Sequence, residues 1–209
     1  MLKRRSVLRL LIGTATAACG CNLTAPFIFL GEHKKSVPAE FDKLQAKRVA
    51  VLVWAQPETL FDYPHVRLEL SAYASERIRS GVKDCDVVDP YKIEDYLARN
   101  PGATVDPRKV GAQFEVDMVV YVELLQFQIR DPSSPDLVQG KVGGSVTVYD
   151  LRADPDETSR FVLSPIQVTV PEGQPMLMTS QNAQAIRQQA YEQFGERVGR
   201  LFHKHSVEL

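Results

Sequence analysis

Nucleophiles, metal ligands and phosphate cradles are where chemistry starts, and this sequence is poor in all three. It has three cysteines, four histidines and a glycine-rich stretch at Gly140, Gly143 and Gly144. Nucleophilic hydrolysis needs a serine or cysteine activated by a neighbouring base. No Gly-x-Ser-x-Gly elbow is present. Phosphate binding through a glycine loop needs that loop between a strand and a helix N-terminus. Gly140, Gly143 and Gly144 instead begin a strand pattern, so they predict a bulge or a close backbone approach. His203 and His205 stand two apart, which suits a strand rather than one helix face. No cysteine or carboxylate cluster stands near them with zinc spacing. Asp154, Asp156 and Glu157 lack the alternating oxygen ligands and the glycine of a calcium loop. Glu94 and Asp95 are adjacent, and adjacent helix positions do not face each other. Asp117 and Glu123 flank an apolar strand and predict a polar rim. Cys85, beside a short strand, predicts a buried thiol. The expectation is a chain with no catalytic residues, no metal and no cofactor.

One constellation suits recognition better than catalysis. Trp54 closes an apolar run, and Phe61, Tyr63 and His65 follow it within a proline-bounded loop. In open α/β sheets, ligands gather at the carboxyl ends of strands, and aromatic side chains are frequent interface anchors. These four residues are the candidate partner surface, against the alternative that they cover the end of the sheet.

The N-terminus carries a different kind of signal. Lys3, Arg4, Arg5 and Arg9 precede a short apolar stretch, Leu10 to Ala18, and then small residues. That order predicts an export signal over residues 1–18. The stretch is too short to span a bilayer, which takes roughly 20 apolar residues. It ends in Thr16-Ala17-Ala18-Cys19, which resembles a bacterial lipobox with Thr16 where Leu is usual. Cys19 is the expected lipidation site and Cys21 the alternative. Arg4 and Arg5, with Val7, Leu8 and Arg9, also resemble a twin-arginine export signal; a plain basic leader for the general route is the other reading. Phe27 to Leu30 would then lie against the bilayer or pack on the domain.

The elements that would position these residues follow from periodicity. Residues 19–47 read as a lipidated N-terminus and polar tether, and residues 48–209 as a single α/β domain. Val49 to Trp54 is a continuous apolar run, as in a strand buried on both faces. Gln56 to Pro64 reads as a loop. His65 to Ser80 shows helical spacing, with Gly81 as a C-terminal cap. A short strand at Asp86–Asp89 and a helix at Tyr91–Arg99 follow. Asp106 caps a short helix that opens on Pro107. The strand from Val116 to Ile129 is apolar on both faces at first. Later it alternates, with Leu125, Phe127 and Ile129 on one side. Strands at Val142–Leu151 and Phe161–Val170 come next; Pro165 marks the second as an edge or bulged strand. A helix over residues 180–203 closes the chain, with a stripe of Ala183, Ile186, Ala190, Phe194, Val198 and Leu201. The order β-α-β-α-α-β-β-β-α predicts a single mixed sheet of about five strands with helices packed on it.

Three stretches carry a resemblance: Arg48 to Val53 followed by a helix; Asp106 to Val122, in which a short helix steps through Val116-Asp117 into an apolar strand; and Val146-Thr147-Val148-Tyr149-Asp150-Leu151. Together they resemble the α/β fold shared by the curli-secretion lipoprotein, the lipoprotein activators of penicillin-binding proteins and the N-terminal domain of the Tol-system propeller protein. Glu115 stands where those proteins usually carry Gly or Ala. Glu123 or Leu124 stands where they often carry Gly, and the long pore-forming insertions are missing. The resemblance implies a secreted bacterial lipoprotein that binds proteins or assembles in the envelope, with no catalytic residues to carry over.

Charge sharpens this. The 209 residues hold 25 basic and 26 acidic side chains, a formal charge of −1. Cleavage before Cys19 removes four basic residues and no acid, leaving 21 against 26 and a charge of −5. An acidic domain has no electrostatic reason to bind nucleic acid or an anionic bilayer. The expected role is therefore a membrane-anchored, non-catalytic binding or assembly module on the periplasmic face of the bacterial envelope. Its partners would be the membrane through its lipid, and another envelope protein or itself. The alternatives are a secreted hydrolase of envelope material and a structural subunit of a homo-oligomeric complex.

Overall fold

A computed structural model of the chain describes residues 34–102, 106–130, 134–154 and 159–208. The leader, with Arg4, Arg5, Cys19 and Cys21, lies outside the described residues, as do Phe27 to Leu30.

The main unit covers residues 38–205. Its central strand is β2, Arg48–Ala55; β1, Lys34–Val37, belongs to the other unit. Alternate residues of β2 enter two separate cores: Val49, Val51, Val53 and Ala55 one, Ala50 and Leu52 the other. That is why the run is apolar throughout. Two parallel partners flank it, one of them only two residues long. On one side lies β3, Asp86–Val87, and on the other β4, Met118–Arg130. From β4 the sheet turns antiparallel through β5, Leu137–Asp150. Strand β5 then pairs in succession with β8 (Met176–Leu177), β7 (Ile166–Val170) and β6 (Arg160–Val162). The fold is mixed α/β, with seven strands in this sheet where about five were expected. Pro165 splits the single strand expected over Phe161–Val170 into β6 and β7, because proline lacks the N–H that a continuous ladder needs.

The helices are α1 (Pro57–Asp62), α2 (Val66–Gly81), α3 (Pro90–Arg99), α4 (Pro107–Gln113) and α5 (Ser180–Arg200). Side-chain caps set the starts of α3, α4 and α5. Asp89 accepts from the Tyr91 N–H at 3.0 Å, Asp106 from Lys109 at 3.1 Å and Thr179 from Asn182 at 3.0 Å. Pro90 therefore opens α3 as well as ending the strand before it. Right-handed crossovers that move in opposite directions across a parallel sheet put their helices on opposite faces. Accordingly α2, between β2 and β3, packs on one face with α5. Helices α3 and α4, between β3 and β4, pack on the other.

Several details depart from the sequence expectations. Gln56 to Pro64 is not a plain loop, since it holds α1, of which no residue is buried. Gly81 ends α2 without entering the left-handed region; a Cβ there would stand 2.2 Å from His203 Nδ1. The packed unit begins before Arg48, because Phe41 and Leu44 are buried in the larger core. Leu125 does not share a face with Phe127 and Ile129. The register of β4 against β5 shifts between Leu124 and Gln126, leaving Leu125 in a bulge and 58% exposed. The bulge moves the buried set from Val122 and Leu124 to Phe127 and Ile129. Opposite it lies Gly144, where a Cβ would come 2.9 Å from Glu123 O and 3.2 Å from Phe194 Cζ. Bulge and close approach thus coincide there.

The other unit includes a two-stranded sheet of β1 and β9, His205–Glu208. Its two segments were expected to be a tether and a solvated tail. Among the described residues no helix is long and apolar enough to cross a membrane.

Candidate functional site

The carboxyl end of β2 separates the four aromatic-surface candidates. Trp54 lies between Val53 and Ala55, so it faces away from the core they enter; it is half-buried and in register with Glu123. Tyr63 turns the other way. Its ring meets Phe127 edge-on at 4.8 Å, and Phe127 stacks on Tyr191 at 5.5 Å. Burial pushes the Tyr191 hydroxyl up to about 12. The neighbouring Tyr73 is also raised, by burial and by the carboxylates of Glu192 and Glu69. Phe61, on α1, is 87% exposed. His65 is exposed too, at the start of α2, and makes no side-chain cap there. Phe61 is therefore the one apolar anchor of the four held out in solvent, while Trp54 and Tyr63 go to opposite sides of the sheet.

Beside Phe61 the structure forms a cleft of about 540 Å³ that the sequence did not reveal. Asp62 and Tyr63 enter it from the end of α1, Ile129 and Arg130 from the end of β4, and Met178 from the turn after β8. The first two turns of α5 supply Ser180, Ala183, Gln184 and Arg187, an i, i+3, i+4, i+7 row. That row was the one available sequence signal, and it borders the apolar stripe through Ala183. The cleft stands at the carboxyl end of β4. Next to it β8 exposes Leu177, at 70%.

Elsewhere the polar residues serve the fold. Asp117 accepts from the Arg48 backbone N–H at 2.8 Å and from Arg152 Nε at 2.6 Å. The backbone bond, with help from Arg152, holds its carboxyl below the ordinary value although partial burial opposes this. Glu123 is six residues along the same strand, roughly 20 Å away at 3.3 Å per residue, so the two are not a pair. Glu94 is bound by Arg67 at 2.6 Å, tying α3 to α2, and Asp95 pairs with Arg99. Cys85 is half-buried, and burial raises its thiol to about 11, so it is a protonated thiol at neutral pH. His203 packs against Gly81 with a ring nitrogen buried, and the Nδ1 of His205 lies 3.3 Å from the His203 carbonyl. Among the described residues no three His, Cys, Asp or Glu side chains gather as metal ligands.

No protein-family model matches the sequence, and no curated protein matches it. Solved structures do. The chain is similar to the PelC dodecamer from Paraburkholderia phytofirmans. Identity is 12% and the TM-score 0.43, over 81% of this chain and 96% of that one. It is also similar to lipoprotein GNA1162 from Neisseria meningitidis, at 13% identity and TM-score 0.39, over 70% and 96% of the two chains. A third is the hypothetical protein CT253 from Chlamydia trachomatis, at 13% and 0.39, over 73% and 95%.

Proposed function

We propose that the chain is a bacterial envelope lipoprotein, held at the membrane by lipid on Cys19 or Cys21, whose α/β unit is a non-catalytic binding and assembly module. The observation that carries the reading is α1. None of its six residues is fully buried and Leu60 packs on the core, yet it holds Phe61 87% exposed at the carboxyl end of the central strand. A large aromatic left in solvent gains nothing for folding and is well suited to anchor a partner. Leu125 and Leu177, also exposed, add apolar surface. The partner is another envelope protein or a second copy of this chain.

The test has two arms. Mass spectrometry of the membrane fraction should find a lipid-modified Cys19 or Cys21 at the start of the mature chain; an unmodified N-terminus would end the lipoprotein reading. Light scattering and envelope pulldowns compare the wild type with Phe61→Ser. The variant should melt as the wild type does and lose about tenfold in association, the scale of one aromatic anchor. Unchanged association would remove Phe61 from the account.

A further inference from the structure

The cleft beside α1 contains two arginines with no carboxylate within ion-pair distance. Seven described arginines, Arg48, Arg67, Arg77, Arg79, Arg99, Arg152 and Arg200, have a carboxylate within ion-pair distance. The other described arginines, Arg108, Arg130, Arg160, Arg187 and Arg197, have none, and of these Arg130 and Arg187 line the same cleft, with Asp62 beside them. They come from different elements, the last residue of β4 and the second turn of α5. The rest of the lining sets Tyr63, Ile129, Met178 and Ala183 beside the polar side chains of Ser180 and Gln184. A cleft of about 540 Å³ lies within the range of small-molecule sites. Guanidinium forks match the oxygens of phosphate and carboxylate, and two of them beside Tyr63 and Met178 suit an anion that carries an apolar portion.

We propose that this cleft binds a phosphate or carboxylate group borne on a partly apolar molecule, with Arg130 and Arg187 holding the anion and Asp62 opposing it. The ligand source is an anionic lipid headgroup or a soluble phosphorylated or carboxylated compound. The proposal deepens the binding-module reading and rests on it, but through residues other than Phe61. Association that depends on Phe61 and anion binding that depends on the arginines can therefore fail separately.

The full chain is titrated calorimetrically with phenyl phosphate. It is also floated with vesicles of phosphatidylglycerol, with phosphatidylcholine vesicles as control. Arg130→Gln and Arg187→Gln should each weaken phenyl phosphate binding about tenfold, the scale of one charge-assisted hydrogen bond. Asp62→Asn should strengthen it severalfold, a gain that misfolding cannot mimic. Arginine-dependent retention on phosphatidylglycerol identifies a lipid source. Retention unchanged by the variants, with phenyl phosphate binding lost, identifies a soluble one. Two results would overturn the proposal: no binding of phenyl phosphate together with no arginine-dependent retention, or binding that the double variant leaves intact.

Discussion

At the start of β4, Asp117 is fastened by the Arg48 backbone and the Arg152 side chain. At its far end Arg130 opens onto a cleft with no carboxylate within ion-pair distance, beside an exposed phenylalanine. Both ends carry charge, but only one uses it to hold the fold together. The start is closed by local bonds and covered by α3 and α4. The end is shaped by aromatic packing from behind, through Tyr63, Phe127 and Tyr191, which leaves its polar groups free. Where hydrogen bonds are spent on the backbone, a side chain is committed to structure; where the support is apolar, the polar surface remains available for a partner.

The largest test of this contrast is Phe127→Ala. It removes the ring, 7% exposed, that backs Tyr63 and fills the core beneath the cleft. The expected loss is about 3–5 kcal/mol in urea denaturation. A loss under about 1 kcal/mol would mean that this end is not held by its aromatic stack. Next is Asp117→Ala at the other end, expected to cost about 1–2 kcal/mol from its charge-assisted bonds. Its pH dependence has a defined sign. The folded carboxyl sits below its ordinary value of 3.8. Its contribution is therefore complete above that value and fades as pH falls through it toward the lowered one. The wild type and variant should converge in acid; a gap that persists there would assign the effect to packing.

Smaller still is Glu115→Gly, just before β4. Glu115 holds φ at 52°, in the left-handed region that costs any residue with a Cβ. Glycine relieves that cost and gives back part of it in unfolded-chain entropy. The expected net gain is about 0.5–1 kcal/mol, read as a higher melting temperature, and a lower one would contradict it. Least of all, Arg130→Gln and Arg187→Gln should each shift stability by under about 0.5 kcal/mol, since neither has an ion pair to lose. A clear loss from either would place it with Asp117 as a structural charge.

How much of this was readable without a structure depended on burial. The β2 run was legible because both of its faces are covered, and the α5 stripe because one face is. Helix α1 was not, since a six-residue helix with only Leu60 packed on the core leaves no apolar period to read. Strands β8, β1 and β9 are short, and length and alternation are what a strand signal consists of. The bulge at Leu125 was hidden for another reason. The sequence alternates cleanly after it, and only the pairing with β5 shows that the phase has changed. The aromatic cluster was legible as residues but not as geometry. Trp54 and Tyr63 part because a strand and the turn after a helix point them to different sides of the sheet. The cleft joins segments far apart in sequence, and its two arginines look like any solvated arginine until the chain is folded.

If the α1 end is the working end of the molecule, site-specific photocrosslinking in the intact envelope shows it most directly. A crosslinking residue placed at Phe61 should form adducts with a defined envelope protein or with a second copy of the chain. The same residue at Arg152, at the fastened end of β4, should form none. Adducts from position 152 alone, or equal yields from both, would contradict the account.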